Sequence, residues 1–233
     1  MIYKTLASYY DALVTDEEAT QDWVDYTRKY VQKGKILDLA CGSGDFAIAL
    51  AKLGFVVEAS DLSVEMIKVA ESKKGSETVN WQVLNMLDLK ATEKYDGITC
   101  YCDSINYLKS YQQLETLIDN VYKALKPNGV FMFDIHSLDT LKHFSQEYIE
   151  EGYIDDVTYQ WCIYSNGDNL YYSFIFQNED GMMLKEHHQQ LVFNPDTVKK
   201  MLERKGFEVE NSTDFISEGI VEGAKIFFAA IKK

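Results

Sequence analysis

Ile36-Leu37-Asp38-Leu39-Ala40-Cys41-Gly42-Ser43-Gly44-Asp45 runs from an apolar segment into a carboxylate, two glycines and a second carboxylate. Ile36 to Leu39 reads as a short buried strand, and Gly42 and Gly44 as the turn that follows it. Glycines at that place let backbone N–H groups approach a ligand where a side chain would block them. The spacing alone is ambiguous, because Gly42, Gly44 and Ala47 also satisfy the G-x-G-x-x-A form of a dinucleotide turn. Asp38 separates the readings. A carboxylate four residues before the glycines would meet a pyrophosphate with like charge, whereas it suits a ligand that presents an ammonium group.

Working outward, Phe46 to Leu53 reads as a helix and Phe55 to Ala59 as a second strand, which ends at Asp61. A carboxylate there can accept both ribose hydroxyls of an adenosine, as in dinucleotide folds about 20 residues past the glycines. Leu62 and Met66 could close over an adenine ring with apolar surface, and Ser63 caps a helix that carries Met66, Ile67 and Ala70 inward. A cation on an amino-acid tail beside an adenosine is the chemistry of S-adenosylmethionine (SAM), which adds a sulfonium nearby.

The same alternation continues. Val79 to Leu84 and Gly97 to Tyr101 are expected strands, and Ser110 caps a helix with Leu114, Leu117, Ile118, Val121 and Leu125 on one side. Pro127-Asn128-Gly129 ends it before the buried strand Val130 to Phe133. Strand–helix alternation of this kind implies a parallel sheet covered on both faces. After about residue 145 the pattern changes. Val157 to Tyr164, Leu170 to Gln177 and Met182 to Phe193 are three β-rich runs, separated by Asn166-Gly167-Asp168-Asn169 and Asn178-Glu179-Asp180-Gly181. They form an antiparallel insertion rich in tyrosine. Pro195 then opens a last helix that Gly206 ends, and Phe207 to Val209 and Lys225 to Ile231 supply two final strands. Ahead of the sheet, Thr15 with Glu18 makes a capping box for a helix with Trp23, Tyr26 and Tyr30 on one face.

Composition narrows the partners. The 233 residues are 46% hydrophobic and 26% charged, enough for one large domain with a sizeable core. Acidic side chains number 37 against 23 basic, a formal charge of -14, which repels phosphate backbones and anionic lipid heads. Nucleic acid and membrane are therefore not expected as partners. No apolar run reaches the roughly 18–20 residues of a bilayer span, and the start lacks the order of a secretory signal, so a soluble cytoplasmic protein is expected. Cys41, Cys100, Cys102 and Cys162 lack zinc spacing and read as reduced thiols.

With Asp38, Gly42, Gly44 and Asp61 in place, the chain resembles a class I SAM-dependent methyltransferase over roughly residues 36–135 and the last helix and strands. The resemblance implies a Rossmann-like α/β fold, a seven-stranded sheet with helices on both faces and an antiparallel β insertion before the last helix. It implies one domain: a helical lid over residues 1–34, a SAM-binding core over 35–143, an acceptor-side cap over 144–193 and the closing core elements over 194–233. The adenine-binding acidic position of the family falls on Asn85, whose amide oxygen can still accept, with Asp88 as a neighbour able to serve instead. On the same resemblance Ala40, Met86, Cys100 and Asp103 border the cofactor, and Tyr10 of Tyr9-Tyr10-Asp11 lies over the sulfonium.

The segment Cys100 to Leu108 is similar to the small-molecule branch that includes glycine N-methyltransferase and the sugar N,N-dimethyltransferases. In the sugar enzymes a catalytic histidine occupies the place of Tyr107, and Glu186 with His188 resembles an E-x-H pattern of related enzymes, though Leu191 stands where those relatives often carry arginine. Neighbouring strand residues alternate faces, so His187 and His188 cannot both enter one site. Tyr107 and His188 are thus the candidate catalytic residues, with no metal implied. The expected reaction moves a methyl group from SAM, leaving S-adenosylhomocysteine, to a nitrogen or oxygen of a small-molecule acceptor. Two rivals remain: a SAM-binding regulator or scaffold without turnover, and an NAD-dependent oxidoreductase built on the same glycine turn. The exposed edge of the insertion could also pair two copies into a homodimer.

Overall fold

The structure, a computed structural model, describes residues 9, 13, 17–178 and 180–233. Helix α1 (Glu17–Tyr30) precedes β1 (Lys35–Leu39), α2 (Asp45–Lys52), β2 (Val56–Asp61), α3 (Val64–Ser72) and β3 (Val79–Val83). Then come β4 (Tyr95–Cys100), α4 (Tyr111–Ala124), β5 (Leu125–His136) and the short α5 (Leu138–His143). Four strands follow: β6 (Tyr148–Ile154), β7 (Val157–Asn166), β8 (Asn169–Gln177) and β9 (Met183–Leu191). After them lie α6 (Pro195–Lys205), β10 (Phe207–Thr213), β11 (Ser217–Glu218) and β12 (Lys225–Lys232).

The main sheet has the order β11-β10-β12-β5-β4-β1-β2-β3. Its β3, β2, β1, β4 and β5 are parallel; β12 runs antiparallel to β5, β10 pairs antiparallel with β12 and so points with the core strands, and β11 adds a two-residue edge. This is the Rossmann-like sheet of seven principal strands. The central strands are apolar on both faces because helices cover both. Leu114, Leu117 and Val121 of α4 with Val198 and Leu202 of α6 cover one face. Val24 of α1 with Phe46, Ala47 and Leu50 of α2 cover the other. Side chains end the helices as the sequence dictates: Ser63 Oγ accepts the Met66 N–H, Ser110 Oγ accepts the Gln113 N–H, and Gly206 at φ +110° closes α6. Thr15, the expected cap of α1, lies outside the described residues.

Strand order fixes the place of a ligand. The sheet steps outward from β1 to β2 on one side and to β4 on the other, so a crevice opens at the carboxyl ends of β1 and β4. Asp38 is the fourth residue of β1, and Thr99 pairs with it from β4.

The insertion forms a separate antiparallel sheet of four strands, β6-β7-β8-β9, where the sequence predicts three. The additional strand β6 is hidden in the sequence by Glu150-Glu151-Gly152, which weakens its alternation. Gly152 pairs with Tyr159, whose ring lies so close over the glycine that an added Cβ would sit 2.7 Å from it. The Tyr159 hydroxyl donates to Glu150 Oε1 at 2.9 Å, so the aromatic side chain covers what the glycine leaves bare. Among the described residues, no helix is long and apolar enough to cross a membrane.

Candidate functional site

A cleft of about 330 Å³ lies at the carboxyl ends of β1, β2 and β4. Of the residues expected at a cofactor, Asp38, Ala40, Gly42, Gly44, Asp61, Leu62, Met66, Asn85 and Met86 line it, and Tyr107 lines its other end. Cys100, Asp103 and His188 do not line it, and Tyr10 lies outside the described residues.

The turn after β1 is shaped by three left-handed residues at every second position: Ala40 (φ 55°), Gly42 (φ 53°) and Gly44 (φ 85°). Gly44 is required by space as well, since a Cβ there would lie 2.5 Å from the Trp81 ring and 2.8 Å from the Ala70 Cβ. Ala40 has a side chain in the same region and holds it with a cost of about 1–2 kcal/mol. The Cys41 N–H donates to the Ser60 carbonyl at 2.9 Å and ties this turn to the end of β2.

Two buried carboxylates flank the turn. Asp38 is 3% exposed, and its Oδ1 accepts the Thr99 hydroxyl at 2.8 Å. Burial pushes its carboxyl up to about 7; Thr99 opposes the rise and the charge of Asp61 adds to it. Asp61 is 8% exposed and accepts the Gly42 N–H at 3.0 Å and the Ser63 N–H at 2.8 Å. Burial also raises Asp61, against backbone N–H groups of Ser63, Gly42 and Leu62 that favour its charged form. Among the described residues, neither carboxylate has an ion-pair partner. Two buried acids with no cation between them fit a cationic ligand, and the expected SAM carries one charge on its ammonium and one on its sulfonium.

The walls suit the rest of such a ligand. Leu62, Met66, Leu84, Met86 and Leu87 supply apolar surface beside Asp61. Asn85 Oδ1 accepts the Leu87 N–H at 3.0 Å and caps the short turn of helix Met86–Asp88. Asp88 is exposed and does not line the cleft. From the opposite side Thr20 and Trp23 of α1 complete the wall with Phe46 and Tyr101. Tyr101 is held by the Thr27 hydroxyl at 2.9 Å, and Trp23 stacks on it with ring centroids 6.1 Å apart. The aromatic face of α1 was legible in the sequence, but its docking against the carboxyl end of β4 was not.

Cys100 and Asp103 are displaced from the expected place for different reasons. Cys100 is a β4 residue whose side chain faces the core, where it is 0% exposed. Cys102 (φ 56°) and Asp103 (φ 49°) are consecutive left-handed residues, which turn the chain so that Cys102 meets the cleft and Asp103 faces away. Asp103 instead joins a buried polar network. Its Oδ1 accepts Lys225 Nζ at 2.7 Å and its Oδ2 accepts Gln190 Nε2 at 2.7 Å, with His136 Nε2 at 3.4 Å. Asp134 Oδ2 accepts the Asp103 N–H at 2.9 Å and lies 3.1 Å from Lys225 Nζ. Burial alone would raise Asp103, but Lys225 and His136 outweigh it and hold the carboxyl well below the usual range. Burial raises Asp134, and Lys225 only partly offsets it. Gln190 is on β9, so the network joins the insertion to the main sheet.

At the far end of the cleft Tyr107 closes the short helix Ser104–Tyr107. Its Oη lies 2.8 Å from His188 Nδ1. On β9 the even positions Glu186, His188 and Gln190 are buried and His187 is exposed. Among the described residues, no group of three His, Cys, Asp or Glu side chains is placed to hold a metal ion.

A Rossmann-like sheet whose switch-point crevice carries a glycine turn and two uncompensated acids defines a SAM-binding protein of the methyltransferase class. The sequence profile of the methyltransferase domain matches residues 36–129. A protein of Geobacillus sp. (strain WCH70), GWCH70_2453, whose own methyltransferase assignment is inferred, is 32% identical over the whole of both chains. The chain belongs to the class I SAM-dependent methyltransferase family. In three dimensions it is similar to a SAM-dependent methyltransferase from Clostridium acetobutylicum ATCC 824, with a TM-score of 0.82, 25% identity and coverage of 99% of this chain and 98% of that one. A glycine/sarcosine N-methyltransferase from Halorhodospira halochloris is 28% identical over 65% of this chain and 56% of its own length.

Proposed function

We propose that this protein transfers the methyl group of SAM to a nitrogen or oxygen atom of a small-molecule acceptor by in-line displacement. The observation that carries the reading is the pair Asp38 and Asp61, both buried, both raised by burial and both without a cation partner among the described residues. When bound, SAM supplies a methyl group on a sulfonium, a leaving group that departs neutral.

The chain's own residues do the rest. Asp38, oriented by Thr99, holds the ammonium group, and Asp61 accepts the ribose hydroxyls beside Gly42. Asn85 and Met86 border the adenine, with Leu62 and Met66 covering it. Trp23, Phe46 and Tyr101 exclude water from the reacting end. Holding donor and acceptor in line supplies up to roughly 7–11 kcal/mol of such a barrier in well-oriented cases. The acceptor enters between the cleft and the insertion, with α1 and the insertion as the covering parts. Small size is supported by the likeness to the glycine/sarcosine enzyme and to the small-molecule branch, and by the formal charge of -14, which opposes nucleic acid. Product release is helped by the charge change, because two acids that favour a cation hold the neutral thioether product less tightly.

The test is a product screen: the protein, SAM and a panel of small amines, phenols and alcohols, read by mass spectrometry for methylated acceptor together with S-adenosylhomocysteine. A methylated product bears the reading out. Tight SAM binding with no product across the panel would replace it with a regulator or scaffold.

A further inference from the structure

Tyr107, His188 and Glu186 form a chain of three titratable side chains that meets the cleft only at Tyr107. Tyr107 Oη lies 2.8 Å from His188 Nδ1, and His188 Nε2 lies 3.0 Å from Glu186 Oε1. His188 is 4% exposed and Glu186 8%. The two belong to β9 at alternate positions, so they share its inner face. Tyr107 comes from the short helix after β4, 81 residues away in sequence. The Phe174 ring meets His188 edge-on at 5.6 Å.

The charge beside His188 sets which of its nitrogens holds the proton. The Glu186 carboxylate lies 3.0 Å from Nε2 without making an aligned hydrogen bond to it, and its negative charge favours the proton on that nitrogen. A neutral imidazole then presents Nδ1 as an acceptor, and Tyr107 must be the donor of the 2.8 Å bond. With its proton directed to His188 in that tautomer, Tyr107, which lines the cleft, has oxygen lone pairs with which to accept.

We propose, on the reading of the cleft as a methyl-transfer site, that Tyr107 is the proton acceptor of the reaction and that His188 and Glu186 make it one. A lone tyrosine is a poor base at neutral pH, because its reference pKa is near 10. Passing its phenolic proton to His188 as it receives the acceptor's proton removes that obstacle, since no free phenolate forms. In the transfer, the acceptor's lone pair forms the bond to the methyl carbon, and the sulfur–methyl bond breaks with its electron pair left on sulfur. The proton on the acceptor atom passes to Tyr107 Oη, the phenolic proton passes to His188 Nδ1, and the imidazolium faces the Glu186 carboxylate until it loses a proton to solvent. Glu186 is a positioning residue that fixes the tautomer. The acceptor class follows: a small molecule whose nucleophilic nitrogen or oxygen still carries a proton, such as a primary or secondary amine or a phenol.

The direct test is long-range ¹H–¹⁵N NMR of the imidazoles in the full ¹⁵N-labelled chain, which has only four histidines to assign. Glu186 and Tyr107 contact His188, and Tyr172 pairs with it from β8 and is hydrogen-bonded at 3.2 Å to His136. His188 is expected as the Nε2–H tautomer near neutral pH. Its Nδ1 resonance is expected to move in Tyr107→Phe, and the Nε2–H preference to weaken in Glu186→Gln. A His188 protonated on Nδ1 in the wild type, or an Nδ1 resonance indifferent to Tyr107→Phe, would overturn the proposal; the first of these needs no variant to fold. Calorimetry with SAM on the same sample keeps the two readings apart. SAM binding with the wrong tautomer sinks the relay alone, and no SAM binding sinks the methyl-transfer reading on which it rests. In the product screen, primary amines are expected to be methylated as far as the tertiary amine, and a quaternary ammonium product would overturn the acceptor class.

Discussion

Asp38 offers the most quantitative test of the cleft. Its carboxyl, 3% exposed and supported among the described residues by the Thr99 hydroxyl alone, is pushed up to about 7 from an ordinary 3.8 by burial. An acid that must ionise to face an ammonium makes binding proton-linked. With a pKa near 7, roughly one Asp38 in ten is ionised at pH 6 and about three in four at pH 7.5. The Kd for SAM is therefore expected to be about eightfold weaker at pH 6 than at pH 7.5. About 0.9 proton is released per SAM bound at pH 6 and about 0.2 at pH 7.5, which calorimetry in buffers of different ionisation heat reads directly. Higher pH is avoided because an α-amino group itself begins to lose its proton near about 7.7–8.0.

Asp38→Asn removes this limb of the profile. A hydrogen bond to a charged group contributes about 1.5–3 kcal/mol, so the variant should bind SAM about 10- to 150-fold more weakly at pH 7.5, with no slope between pH 6 and 7.5. Without ligand it should be the more stable protein at pH 7.5. The carboxyl ionises near 3.8 when unfolded and about 7 when folded, so between those values the folded chain holds the extra proton. Stability accordingly falls as pH rises through that window, by about 4 kcal/mol in full, and the amide's need for a partner returns about 1–3 kcal/mol of it. A pH-independent Kd for the wild type, or an Asn variant that binds SAM as tightly, would refute the assignment of Asp38 to a cationic ligand.

Three further outcomes are expected. Asp61→Ala leaves the Gly42 and Ser63 N–H groups without their acceptor and should weaken SAM binding at least about tenfold by calorimetry; normal binding would break the site map. Gly44→Ala drives a Cβ into Trp81 and Ala70 at φ +85° and should cost about 2–5 kcal/mol in urea denaturation, whereas Gly54→Ala, at φ +91° with nothing within 4 Å, should cost only the backbone's share of about 1–2 kcal/mol. Lys225→Met strips the cation from Asp103 and Asp134 and should cost about 3–5 kcal/mol near pH 7. The wild type should show an acid limb that this variant lacks, because stability from the depressed Asp103 is present above the ordinary carboxylate range and lost as pH falls through its folded value.

The parallel core was readable because its cause is local: apolar runs between capped amphipathic helices require a sheet buried on both faces. The cofactor end of the site was readable for the same reason, since Asp38, the glycines and Asp61 occupy strand ends whose direction the alternation dictates. The acceptor end depended on features that composition does not carry. Left-handed Cys102 and Asp103 send Asp103 to Lys225, a partner 122 residues away, and no glycine marks the turn. Trp23 and Thr20 reach the cleft only because α1 docks on Tyr101. The bond between Tyr107 and His188 joins two candidates that the sequence offers separately, and it depends on how β9 sits against the helix after β4. Strand β6 was lost to Gly152, whose place in the sheet is explained only by the Tyr159 ring above it.

The central claim is that the crevice between β1 and β4 takes a cationic adenosyl ligand, and calorimetric titration of the purified protein with SAM, S-adenosylhomocysteine and NAD in parallel tests it most directly. Saturable micromolar binding of SAM and S-adenosylhomocysteine, with none of NAD, is the predicted result. Binding of NAD alone would mean that the glycine turn serves a pyrophosphate despite Asp38, and would contradict the account.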